Sequence, residues 1–265
     1  MQCDCSGIRH VTLRQRFEEN SALSGGKPHI VRFTLRGVMQ IQYSGGIGDF
    51  GKFALLRQLR QGRRLAVCWY LTGASDRTQT RERHFDYLNR PDAFRHLAPE
   101  LYDQLLEFDR NRHSLADPLT VLQSSGILEN AVFVRQEVPQ KASLRPAWAA
   151  RLANSVHGAD LVFLDPDNGI EGRRLTNRHV ALAEIAVLRQ EGLALIIGHH
   201  QSGRKAEVKY LADRMKSLSC DVVEIVRLRL VMSWLYVIVD HDAAMTELIS
   251  TFVRRWGSLA KSYRF

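Results

Sequence analysis

Cysteine is scarce in this chain: four residues in 265, at Cys3, Cys5, Cys68 and Cys220. So few, so scattered, fit a reduced compartment better than a disulfide framework. Cys3 and Cys5 stand too close for a zinc half-site of the usual spacing and have no downstream partner pair. No run of about 18 apolar residues occurs, so no segment is expected to span a bilayer. The opening Met1-Gln2-Cys3-Asp4-Cys5 lacks the apolar stretch of a secretory signal, and a cytoplasmic location is expected. No GxxxxGK[ST] is present, which argues against a P-loop, and no Gly-x-Ser-x-Gly elbow supports a serine hydrolase. A calcium loop is excluded at the one acidic stretch that suggests it, because Gly169 occupies a required ligand position.

Acid is in deficit. Lysine and arginine total 37 against 28 aspartates and glutamates, for a formal charge of +9. Net charge speaks to partners and not to fold. The cations cluster: Lys52, Arg57, Arg60, Arg63 and Arg64; then Arg173, Arg174 and Arg178; then Arg204 and Lys205. Binding of a nucleic acid or a phosphorylated substrate is the functional reading, and a merely soluble surface is the plain one.

The first 38 residues are polar and irregular, with a breaker at Ser24-Gly25-Gly26-Lys27-Pro28 and one possible strand at 30–35. They read as an N-terminal extension, from an upstream start, ahead of a single domain spanning 39–265. Strands and helices then alternate. Helices are expected at 50–60, from Pro99, at 145–156, at 176–190 with Thr176 as cap, at 205–218, and after Asp242 to about Trp256. Strands are expected at 65–71, 119–122, 131–135, 161–164, 193–197, 221–228 and 234–239, the last two forming a hairpin. Trp234, Tyr236, Phe252 and Trp256 fall on apolar faces as core. The alternation predicts an α/β, Rossmann-like, mostly parallel seven-stranded sheet, with an antiparallel strand at the C-terminal end and helices on both faces.

The richest stretch is Leu161-Val162-Phe163-Leu164-Asp165-Pro166-Asp167-Asn168-Gly169-Ile170-Glu171. Its apolar run reads as a buried parallel strand. Pro166 and Gly169 stop it, leaving two carboxylates and an amide just past its carboxyl end, where open α/β sheets bind ligands. A turn using Asp, Asn and Gly for their backbone habits is the plainer alternative.

The order of elements resembles the class I S-adenosylmethionine-dependent methyltransferase fold, whose seventh strand is antiparallel. Amino-methylating members end their fourth strand in Asp/Asn-Pro-Pro-Tyr/Phe, and here the fourth counted strand ends in Asp165-Pro166-Asp167-Asn168. Tyr43-Ser44-Gly45-Gly46-Ile47-Gly48-Asp49-Phe50-Gly51-Lys52 is similar to the Gly-Asn-x-x-Asp-x-x-Lys region of bacterial ribosomal RNA adenine-N6 methyltransferases. Residues 39–203 also resemble a bacterial family carrying GDFGKxxLL, a WYLT-like strand and FLDPDNG. The resemblance implies methyl transfer from S-adenosylmethionine to a nucleic acid base, adenine N6 first. It implies that Asp165 and the Pro166 carbonyl orient the amine while Asp167 and Asn168 shape the base pocket. Gly45, Gly46, Gly48, Asp49 and Lys52 would line the cofactor or phosphate side, and Gly73 would admit the donor closely. Arg57, Arg60, Arg63, Arg64, Arg173, Arg174, Arg204 and Lys205 would bind nucleic acid. The chain departs from the pattern in three places. Asn168 stands where an aromatic residue stacks on the base, with Tyr70 or Trp69 as replacements. The glycine-rich turn shrinks to Thr72-Gly73-Ala74. Gln123 follows the second counted strand where a ribose-binding acid is expected.

The same residues admit other chemistry. Asp165-Pro166-Asp167 also resembles the start of haloacid-dehalogenase-type phosphohydrolases, with a nucleophile, a general acid and Mg2+, and Asp240-His241-Asp242 as a second metal pair. A nuclease would combine Asp165, Asp167 and Glu171 with His199 and His200. A catalytically eroded protein that only binds nucleic acid is the third reading.

Overall fold

The computed structural model describes residues 44–72, 82–111, 117–201 and 206–265. The predicted extension, the strand at 30–35, Gly73, Arg204 and Lys205 lie outside the described residues. Helix α1 (Ile47–Leu59) leads into strand β1 (Leu65–Leu71). Short helical turns α2 (Glu82–Phe85) and α3 (Pro91–Phe94) precede α4 (Pro99–Asn111) and α5 (Pro118–Ser124). Then follow β2 (Val132–Glu137), α6 (Arg145–Ser155), β3 (Leu161–Asp165) and two short strands, β4 (Gly169–Ile170) and β5 (His179–Val180). The chain closes with α7 (Leu182–Gln190), β6 (Ala194–His200), α8 (Glu207–Lys216), β7 (Val223–Arg229), β8 (Ser233–Val239), α9 (Ala243–Trp256) and β9 (Ala260–Arg264).

Seven strands form one sheet in the order β2-β1-β3-β6-β8-β7-β9. β2, β1, β3 and β6 pair in parallel; β8 is antiparallel to β6 and to β7, and β9 is antiparallel to β7. Side-chain alternation along each strand splits the core in two. Leu65, Val67, Trp69, Leu161, Phe163 and Ile196 face a cluster with α1, α4 and α9. Ala66, Cys68, Tyr70, Val162, Leu164 and Leu195 face a second with α6, α7 and α8. Strands buried on both faces need continuous apolar runs, which is what Leu65–Leu71 and Leu161–Leu164 supply. Fully burying side chains such as Phe50, Leu55, Leu56 and Leu59 of α1 contributes roughly 1.5–3 kcal/mol each.

The strand expected at 119–122 is a helix. Asp117 caps it, its Oδ1 accepting from the Leu119 and Thr120 amides, and Pro118 opens the first turn. This cap and proline outweigh the apolar run Leu119, Val121, Leu122. The second sheet strand is therefore Val132–Glu137, and the count of seven is completed by β9, an edge strand the pattern did not reveal. Thr176 caps no helix. Its hydroxyl bonds the Arg178 amide and lies 2.8 Å from His179 Nδ1, and α7 begins six residues later, with Glu184 accepting from the Ala181 amide.

The connections fix where a ligand can sit. From β1 the chain moves to β2 on one side, then returns to β3 on the other side of β1. The crevice at the carboxyl ends of β1 and β3 is thus the switch point of the sheet, the usual ligand position in open α/β folds. Asp165 is the last residue of β3.

Candidate functional site

Asp165 pairs in register with Trp69 on β1, and both project to the face covered by α1. The first two turns of α1 bring Asp49 and Lys52 to that face at i, i+3 spacing. Lys52 Nζ stands 2.7 Å from Asp49 Oδ1 and 2.8 Å from Asp165 Oδ2. Asp49 Oδ2 accepts from the Gly45 amide at 2.8 Å, and the Tyr87 hydroxyl donates to the Gly45 carbonyl at 2.8 Å. The ammonium also lies 5.1 Å from the centre of the Trp69 ring, within cation–π range. Burial disfavours the Lys52 charge, but Asp165 and Asp49 outweigh it and hold the ammonium protonated well above the ordinary lysine range. Burial raises the Asp165 carboxyl above the ordinary range, with Lys52 pulling against it. Asp167 is likewise raised by burial, opposed by a 3.2 Å hydrogen bond from the Thr72 hydroxyl and by Arg178.

Two carboxylates share one ammonium, so the cluster carries a net negative charge. Only one oxygen of Asp165 is committed: among the described residues Oδ1 has no partner. The cluster opens into a cleft of about 130 Å³ walled by Trp69, Trp234, Tyr236, Leu119 and Leu122. Gly46, Gly48, Asp49, Lys52, Asp165, Pro166 and Asp167, all expected from sequence, line it. Gly45 supports it from behind through Asp49.

Asn168 does not join them. It lines a separate, larger cleft of about 930 Å³ with Arg173, Arg174, His199 and His200. The expected base pocket is therefore divided, with Asp167 lining one cleft and Asn168 the other as the chain approaches a turn at Gly169. Gly169 makes that turn with φ +96°, and a β-carbon there would come within 2.7 Å of the His199 α-carbon. His199 and Glu171 are structural. His199 Nδ1 accepts from the Ile170 amide at 3.1 Å, so its proton sits on Nε2, 3.2 Å from Glu207 Oε1. Burial lowers the His199 pKa. Glu171 Oε1 accepts from the Leu182 amide at the start of α7.

Other expectations are corrected by position. Tyr70 is fully buried on the opposite face, against Glu184 and Trp148, and cannot stack on a ligand in the cleft. Trp234 packs against the core as expected, but it is only half-buried and also lines the cleft. Arg57 bonds the Ile127 carbonyl at 2.6 Å. Arg63 pairs with Asp242 and Arg64 with Asp160, at the amino-terminal edge of the sheet, as does the α1 cap Arg60 by position. Among the described residues expected to bind nucleic acid, Arg173 and Arg174 alone line a cleft at this end of the sheet, the one that holds Asn168. Asp240-His241-Asp242 also falls at that far edge: β8 runs antiparallel, Asp240 pairs with Arg189, and Asp242 caps α9 through the Met245 amide. They cannot complete a metal site with Asp165. Among the described residues no three His, Cys, Asp or Glu side chains converge as a metal site.

Sequence reasoning missed Glu137. With β2 relocated, an acid does end the strand beside β1, opposite Leu71 and, by alternation, on the face of the cleft. Nucleoside-binding sheets place the ribose-binding carboxylate there. Compared with known proteins, the chain matches no family model and no curated protein.

Proposed function

We propose that this chain is an S-adenosylmethionine-dependent methyltransferase acting on an exocyclic nitrogen of a nucleic acid base, adenine N6 first. The observation that carries the reading is the net-negative, aromatic-walled cleft at the switch point, with Asp165 Oδ1 uncommitted beside Pro166. The antiparallel β8, set between β6 and β7, supports the resemblance to the class I methyltransferase fold.

An exocyclic amine is a poor nucleophile because its lone pair is delocalised into the ring. Asp165 Oδ1 and the Pro166 carbonyl can accept both amine hydrogens and return that pair to nitrogen. Proline suits the place because it fixes φ and adds no competing donor. The nitrogen that gains a methyl group sheds a proton, and a carboxylate whose proton affinity is raised by burial is the better acceptor for it. Lys52 fixes the other oxygen, so the carboxylate plane is set before substrate arrives. S-adenosylmethionine, when bound, supplies an electrophilic methyl group on a sulfonium. The charge of the Asp49–Lys52–Asp165 cluster complements that cation, and Glu137, at the end of β2 opposite Leu71, would accept from ribose hydroxyls. At about 130 Å³ the cleft is smaller than the ~300–1,000 Å³ of sites enclosing drug-sized ligands, so it takes reacting ends and not whole nucleotides. The magnesium-dependent phosphohydrolase or nuclease reading has less support, since Asp165 turns to Lys52 and Asp167 to Thr72.

The test is transfer of a labelled methyl group to total RNA and to DNA. Wild-type protein should label one of them, and Asp165→Ala should abolish labelling while still binding the donor, because Lys52 keeps Asp49. Salt-dependent nucleic-acid binding that survives Asp165→Ala, with no transfer by either protein, would favour the binding-module reading.

A further inference from the structure

The β7–β8 hairpin forms one wall of the cleft: Leu230 and Trp234 pack on the core, but Val231 and Met232 do not. Residues 230–232 are apolar, yet Val231 is 55% and Met232 38% exposed. Both border the same cleft as Asp165. Behind them Trp234 is half-buried, its indole reaching the same cleft. Two neighbours fix that indole. His200, opposite it in register, meets the ring edge-on at 5.0 Å and 84°, and a β-carbon on Gly48 would touch the indole nitrogen at 3.5 Å. Leu230 packs so closely on Gly51 that a β-carbon there would lie 2.8 Å away. The hairpin is therefore seated on α1, and it holds a rigid aromatic surface toward the cleft with two exposed apolar residues at the rim.

We infer that Trp234 is the stacking platform for the substrate's ring, with Val231 and Met232 packing against it at the rim. This rests on the methyltransferase reading and assigns the role that Asn168, in the other cleft, cannot fill. The occupant is an unpaired purine of a single-stranded nucleic acid. An indole offers sequence-tolerant stacking to such a ring, while Asp165 Oδ1 on the neighbouring wall accepts from the hydrogen-bond donor the base presents, which for adenine is its exocyclic amine. Apolar side chains at the rim are the groups that replace lost stacking when a base leaves its neighbours.

The experiment titrates a short single-stranded oligoadenylate into wild type, Trp234→Phe and Trp234→Leu, following tryptophan fluorescence and, separately, anisotropy of a labelled oligonucleotide. Wild type should bind with quenching. Trp234→Phe should bind within a few-fold of wild type with most of the quenching gone. Trp234→Leu should bind roughly 5- to 150-fold more weakly. Affinity for S-adenosylhomocysteine should be the same in all three. If Trp234→Leu does not fold, the Trp234→Phe quenching decides alone. The inference is overturned if wild type does not bind the oligonucleotide, if Trp234→Leu binds as tightly as wild type, or if Trp234→Phe is quenched as strongly. Loss of donor binding in wild type, with the stacking pattern intact, would sink the methyltransferase reading and leave the platform standing.

Discussion

Replacing Lys52 with methionine removes a buried cation from between two carboxylates while nearly keeping its volume. The side chains of Lys52, Asp49 and Asp165 are 10%, 16% and 11% exposed, so solvent screens the loss poorly. Both carboxylate oxygens lie within 2.8 Å of Nζ, and so within about 5.5 Å of each other. At that separation and an effective dielectric near 20, their repulsion is about 3 kcal/mol. Breaking buried pairs by removing one partner costs about 3–5 kcal/mol, in agreement. For a chain of this size the melting temperature should fall by roughly 6–20 °C. The pH dependence is a sharper check. Burial already raises the Asp165 pKa above its unfolded value of about 3.9, and losing Lys52 raises it further. A raised folded-state pKa gives stability that is present below the unfolded pKa and lost as pH rises through the folded one. The deficit of Lys52→Met should therefore be largest at neutral pH and shrink as pH falls toward 4. Urea unfolding at pH 7.5 and pH 5 reads both quantities, and adding Asp165→Asn should recover part of the loss. A deficit below about 1 kcal/mol at pH 7.5, or one that does not change with pH, would refute the charge argument.

Gly169→Ala should destabilise the protein by at least about 1–3 kcal/mol, since an alanine must accept positive φ and also crowd the His199 backbone; thermal melting measures it. Glu137→Gln should weaken donor binding roughly 10- to 100-fold by loss of a charge-assisted contact, with oligonucleotide affinity unchanged in the same titrations. The Arg173→Ala/Arg174→Ala double variant should weaken oligonucleotide binding and flatten its dependence on log salt by about one to two units, whereas Arg64→Ala, at the far edge of the sheet, should change neither.

Much of this was readable from sequence wherever one local rule dominated. The apolar run into Asp165-Pro166 marked a buried strand and its end, the hairpin of β7 and β8 showed in two adjoining apolar runs, and Asp242 marked the start of α9. The misreadings came where two rules competed. Leu119, Val121 and Leu122 fit a strand as well as a helix, and the Asp117-Pro118 cap decided it. That one error displaced the second strand and hid Glu137. β9 escaped because Lys261, Ser262 and Arg264 carry no apolar period; it is held as an edge strand by backbone pairing to β7. The site itself depends on sheet order. Lys52 and Asp165 are 113 residues apart, and nothing local indicates that α1 lies over the end of β3. Trp234 illustrates the same limit, since its period placed it on an apolar face and only the hairpin's end position opens that face to the cleft.

The most direct test of the central claim is calorimetric titration of the wild-type chain with S-adenosylmethionine and S-adenosylhomocysteine, in EDTA and again with magnesium. Saturable binding in the micromolar range that does not depend on the metal is expected. No binding of either ligand at millimolar concentration, or binding only when magnesium is present, would contradict it.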